Sequence, residues 1–69
     1  VKLSARNVMK GKVKAITPGA VNAEVVFEIA PGIDVVSIIT MTSVKSLGLE
    51  VGKEAYAVVK ASNVMVAVD

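Results

Sequence analysis

Three short polar islands interrupt an otherwise apolar chain. They are Ser4-Ala5-Arg6-Asn7, Thr40-Met41-Thr42-Ser43 and Lys60-Ala61-Ser62-Asn63. Each carries at least one hydroxyl, two add a cation, and none contains an acid. Hydroxyl, ammonium, guanidinium and free backbone N–H groups all donate hydrogen bonds. A tetrahedral oxyanion accepts on every side, so a donor-only set suits it and a carboxylate would repel it. Taken singly, Ser, Thr and Asn beside turns serve as local caps and Asx-type turns. The same character recurring three times points to anion binding.

The residue types that are missing narrow the chemistry further. There is no Cys, no His and no Trp among the 69 residues. The chain therefore has no disulfide framework, no thiolate nucleophile, no zinc-finger spacing and no imidazole base. A transition-metal cation would find only carboxylates, and the acids nearest in sequence, Glu50 and Glu54 like Glu24 and Glu28, are four residues apart. No set of direct cation ligands is expected, and the composition argues against an enzyme.

Net charge is only +2, but it is unevenly placed. Lys2, Arg6, Lys10, Lys12 and Lys14 precede every acid, and all six acids fall between Glu24 and Asp69. The plain alternative is a solvated basic edge strand, on which Lys discourages edge-to-edge pairing. Read functionally, the small total charge favours a small anion over a phosphate backbone. One Phe and one Tyr are too few for a base-stacking platform.

The elements that must position these islands are strands. Apolar and polar residues alternate over residues 11–17 and again over 21–29, the pattern of half-buried strands. Pro18-Gly19 between them reads as a tight turn with Gly at positive φ, and Pro31-Gly32 repeats that chemistry. A third strand over residues 33–41 is apolar on both faces at Val35, Val36, Ile38 and Ile39, which predicts cover on both sides. Residues 42–48 offer Thr or Ser as an N-cap and Gly48 as a stop, so one or two helical turns fit there. A fourth strand over 54–60, a bend at 61–63 and a last strand over 64–68 complete the chain. The pattern predicts an all-β, OB-like, five-stranded barrel with one short helix. Residues 1–69 are expected to form a single domain.

Such a barrel cannot hide everything apolar in the chain. Hydrophobic residues make up 54% of it, and fifteen residues are Val. A domain of this size buries only about 60% of the surface its unfolded chain exposes. A membrane is a poor candidate for the remainder. The longest uncharged stretch, residues 35–44, is ten residues and includes two Ser and two Thr, against the ~20 apolar residues of a spanning helix. No secretory leader pattern is visible. Association with other subunits is the expected cover, with residues 35–39 and 64–68 as the contacts.

The islands and their surroundings resemble one family. Lys2-Leu3-Ser4-Ala5-Arg6-Asn7 is similar to the opening of the Mop family of small molybdate-binding proteins, the molbindins. Lys10-Gly11-Lys12-Val13, residues 19–25, Ser37-Ile38-Ile39-Thr40, Ser43-Val44, Leu47-Gly48-Leu49, Gly52 and residues 57–65 continue the likeness from end to end. Val8 departs from it, standing where a polar residue is common. Pro31-Gly32 stands where some members have a Gly pair.

The resemblance implies an OB-like barrel whose N-terminal strand is exchanged between partners. It implies a cytoplasmic homohexamer, a trimer of dimers, that stores or buffers molybdate or tungstate between subunits without an organic cofactor. Carried over motif by motif, the oxyanion-binding residues are Ser4, Arg6, Thr40, Ser43 and Lys60, with Ala5 and Ala61 as backbone donors. A second oxyanion site falls on Gly19, Ala20 and Val21. The competing reading of the fold is an OB-type module for single-stranded nucleic acid. The same family domain also occurs within molybdate-responsive regulators and importer ATPases.

Overall fold

The alternation in the second strand decides where the core lies. Ala23, Val25 and Phe27 project to one side and are almost fully buried, Val25 completely so. Val13, Val44 and Ala57 close around them, and Met9, Ile16, Ile29, Val35, Ile39 and Leu49 pack at the margin. The computed structural model describes residues 2–69. In chain order these form β1 (Asn7–Pro18), β2 (Asn22–Ala30), β3 (Ile33–Thr40), α1 (Met41–Leu47), β4 (Glu54–Val59) and a 3-10 turn over Ala61–Asn63.

The strands make one antiparallel sheet in the order β3-β2-β1-β4. β1 serves two neighbours. Its first half pairs with β4 from Asn7↔Val59 to Lys12↔Glu54, and its second half pairs with β2 from Lys12↔Glu28 to Pro18↔Ala23. A bulge between Val13 and Ala15 adds twist just past that handover. Gly11 lies at the bend, where a Cβ would stand 2.6 Å from the Glu28 carbonyl oxygen. Only a residue without a side chain allows the strands so close. The sheet therefore curls into an OB-like half-barrel.

Two turns behave differently from one another. Pro31-Gly32 is a tight hairpin turn with Gly32 at φ +76, as expected. Pro18-Gly19 is not. Gly19 does not adopt positive φ, and the loop runs on to Val21 before β2 begins. Gly19 is needed there for close approach instead, since a Cβ would meet the Asn22 carbonyl oxygen at 2.7 Å.

The helix forms two or three residues earlier than its sequence pattern implies, where Thr42 or Ser43 is the expected cap. Thr40, not Thr42, is the N-cap. Gly48 ends α1 in the left-handed region, with its N–H donating to Lys45 and the Leu49 N–H reaching back to Val44. Those paired bonds satisfy the last carbonyls and place Leu49 beside buried Val44.

The fifth strand is the main correction. Residues 64–68 join no ladder among the described residues and stay exposed. The barrel is thus four-stranded and open between β3 and β4. Residues 64–68 are apolar on both faces, which suits a strand covered on both sides, but the segment lies against neither open edge of its own sheet. The surplus of apolar surface is visible directly. Val36 and Ile38 on β3 are 58% and 62% exposed. The accessible surface is 5362 Å², whereas a folded monomer of this mass is expected to expose about 4,100 Å².

Candidate functional site

The register of β1 against β4 assembles the first part of the site. Asn7 pairs with Val59, so the residues just before β1 and just after β4 continue side by side. Arg6 and Lys60 are the residues that immediately flank that end of the ladder. Around them opens a cleft of about 650 Å³, lined by Ser4, Ala5 and Arg6 on one flank and by Lys60, Ala61, Ser62 and Asn63 on the other, with Val58 between. The 3-10 turn shapes the second flank, with the Asn63 N–H donating to the Lys60 carbonyl at 2.9 Å.

The electrostatics of this cleft are one-sided. No acid lines it. The ion pairs of the described residues lie elsewhere: Lys10 with Glu54 at 2.9 Å, and Lys14 with Asp34 at 3.0 Å and Glu28 at 4.0 Å. Those contacts raise the Lys10 and Lys14 ammonium groups above the usual lysine value and hold Glu54 below the usual carboxylate range. Arg6 and Lys60 have no such carboxylate partner among the described residues. Two like charges lining one cleft repel one another. An anion between them removes that cost.

Thr40 and Ser43 form a separate group. The Thr40 hydroxyl accepts from the Ser43 N–H at 3.0 Å and donates to Ser43 Oγ at 2.9 Å. With its oxygen accepting from Thr40, Ser43 keeps its own hydroxyl proton for another acceptor. Neither residue lines the Arg6–Lys60 cleft. The β1–β2 loop reaches the Thr40 region, because the Met41 N–H donates to the Val21 carbonyl at 2.8 Å and Asn22 pairs with Thr40. Gly19, Ala20 and Val21 therefore neighbour Thr40, and the Gly19 N–H is already spent on the Asn22 carbonyl at 2.8 Å.

The structure thus brings together Ser4, Ala5, Arg6, Lys60 and Ala61, and sets Thr40 and Ser43 apart with the second candidate segment. Ser62 and Asn63 line the cleft although matching by family motif does not select them. Their place in a donor-only island was the available signal. No aromatic ring lines the cleft, and Phe27 is buried in the core. Among the described residues no three His, Cys, Asp or Glu side chains gather to hold a cation.

Similarity to known proteins can be set beside this geometry. A TOBE domain model matches residues 3–66. A protein named as a probable molybdenum-pterin-binding protein of Haemophilus influenzae is 52% identical over 69 residues, covering all of both chains. The chain belongs to the Mop family of TOBE domains, the molbindins. Among solved structures, an apo form of MopII from Clostridium pasteurianum superimposes on this molbindin chain with a TM-score of 0.91 and 49% identity, covering 97% of this chain and 100% of the other. The cytoplasmic molybdate-binding protein ModG, solved with molybdate bound, matches with a TM-score of 0.90 and 49% identity over 94% of this chain and 46% of its own.

Proposed function

We propose that this molbindin chain binds molybdate or tungstate in the cytoplasm and stores or buffers it, without turnover. The observation that carries the proposal is that Arg6 and Lys60 line one cleft that has no acid in its lining. The two cations supply charge. Ser4, Ala5, Ala61 and the turn that follows supply direction. ModG's molybdate-bound structure and the names of the relatives support the choice of anion.

One chain does not enclose a dianion. Ser4, Arg6, Lys60 and Ala61 are all exposed, and a doubly charged ion removed from water needs nearly complete hydrogen bonding. Thr40 and Ser43 of a second copy complete the donor set in this proposal. The open β3–β4 edges and the surplus apolar surface support assembly of copies, with a fifth strand drawn from a partner and a trimer of dimers as the final form. Gly19, Ala20 and Val21, beside Thr40, are proposed as a second oxyanion site at a further subunit boundary.

Isothermal titration of the purified protein with molybdate, tungstate and sulfate tests this. Saturable heat with molybdate is expected, and its loss in Arg6→Ala and Lys60→Ala. No heat with molybdate on anion-free protein at neutral pH overturns the function. Unchanged affinity in both variants overturns the site.

A further inference from the structure

The hydrogen bonds around the Arg6–Lys60 cleft consume acceptors and leave donors. In the turn that forms one flank, the Lys60 carbonyl accepts from the Asn63 N–H at 2.9 Å and the Ala61 carbonyl from the Val64 N–H at 3.3 Å. The first N–H groups of such a turn, on Ala61 and Ser62, have no partner within it. Arg6 and Lys60 can only donate. The Thr40–Ser43 group, proposed to complete the site, has the same bias. Thr40 Oγ1 accepts from the Ser43 N–H, Ser43 Oγ accepts from Thr40, and the Ser43 carbonyl accepts from the Ser46 hydroxyl at 3.3 Å. What that group still offers is the Ser43 hydroxyl proton.

The side-chain acceptors that line the cleft are neutral: the Ser4 and Ser62 hydroxyl oxygens and the Asn63 amide oxygen. A hydroxyl that accepts still has its own proton to place, and the Asn63 amide presents its N–H groups to an anion as readily as its oxygen to a donor. None equals a carboxylate, which forms the stronger, charge-assisted bond with an acidic O–H. Tetrahedral oxyanions of the same charge and nearly the same size differ on this point. At mildly alkaline pH selenate is a dianion without a proton. Arsenate there is also a dianion, but it keeps one O–H. In this cleft that O–H is a donor facing donors.

We propose that the cleft selects tetrahedral dianions by protonation state, taking fully deprotonated ones such as molybdate and selenate over singly protonated ones such as hydrogenarsenate. This rests on the anion binding proposed above and adds what that site discriminates. Charge does not discriminate within this set, because Arg6 and Lys60 attract every dianion alike. Size does not separate selenate from arsenate. The difference is the one proton left unpaired when the anion gives up its water.

Displacement of molybdate from the full chain tests this, with selenate and arsenate as separate competitors at mildly alkaline pH. Titration of the unaltered protein with molybdate is read first. Selenate should then compete roughly ten-fold or more better than arsenate, the factor expected of one unsatisfied donor. Asn63→Asp adds a carboxylate acceptor to the flank. It leaves the turn's backbone bonds in place, because the Asn63 N–H is the donor there. The new charge weakens both competitors alike, whereas the new acceptor favours arsenate alone. The selenate-to-arsenate ratio should therefore fall several-fold. Equal competition by the two ions, stronger competition by arsenate, or none by either overturns the inference, and so does a ratio that Asn63→Asp leaves unchanged. Molybdate binding with equal competition removes the selection and keeps the anion site. An absence of molybdate binding removes both.

Discussion

The Thr40 hydroxyl both caps the Ser43 N–H at 3.0 Å and donates its proton to Ser43 Oγ at 2.9 Å. One residue thus ends β3, starts α1 and orients the next hydroxyl. Thr40→Val should cost about 1 kcal/mol of stability through the lost cap, read from urea midpoints, while Thr40→Ser should retain most of it. Ser43→Ala leaves the cap in place, because the Ser43 N–H is the donor. It should lower molybdate affinity without moving the midpoint.

Arg6 and Lys60 should behave as a pair in anion titrations. A hydrogen bond to a charged group is worth about 1.5–3 kcal/mol, so Arg6→Ala or Lys60→Ala should each weaken molybdate binding by roughly ten-fold or more. Anion-free stability should not fall, since both side chains are exposed and neither has a carboxylate partner among the described residues. Melting with and without molybdate separates the two effects, because a ligand that binds only the native state raises the melting temperature. That rise should shrink sharply in either variant.

Gly11→Ala probes the bend of β1. The added Cβ would lie 2.6 Å from the Glu28 carbonyl oxygen and 3.1 Å from its carbonyl carbon, both backbone atoms. Neither can yield without parting β1 from β2. A loss of about 1–3 kcal/mol is expected, as for other overpacked sites, measured by urea denaturation. Gly32→Ala meets no atom within 4 Å. Its cost should come only from the positive φ of the turn.

The Lys10–Glu54 pair sets a pH dependence whose sign follows from its two shifts. Glu54 is held below the usual carboxylate range by the Lys10 hydrogen bond and charge. Its contribution is present above the ordinary Glu value and disappears as pH falls through the lowered one. Lys10 is raised by the same contact. Its contribution is present below the ordinary Lys value and disappears as pH rises through the raised one. Both groups are exposed, so the effect should be small and should fade with added salt. Glu54→Gln should flatten the acid limb of a melting-temperature profile at low ionic strength.

Much of the fold is legible in the residues, and the reasons are local. Ala23, Val25 and Phe27 alternate with polar neighbours, and burial follows that period. Pro31-Gly32 forces a hairpin because the φ values of those two residues are restricted and permissive in the right order. The same dipeptide at Pro18-Gly19 misleads. There the loop is held by the Val21–Met41 hydrogen bond, a contact that links segments twenty residues apart. The three islands are legible as donor-only segments. Which of them meet is not, since that depends on the β1–β4 register and on the bend at Gly11.

The sequence alone determined that this is a strand-rich chain with three acid-free polar islands and more apolar side chain than one small core can bury. Composition and periodicity suffice for that, because they act residue by residue. Tertiary structure decided how the pieces divide. It brought Arg6 and Lys60 to one cleft, placed Thr40 and Ser43 in a different group, and left residues 64–68 outside the sheet. Pairing between distant strands has no local signal. It emerges only when bulge, bend and register are settled together, and here that settlement leaves the slot between β3 and β4 open.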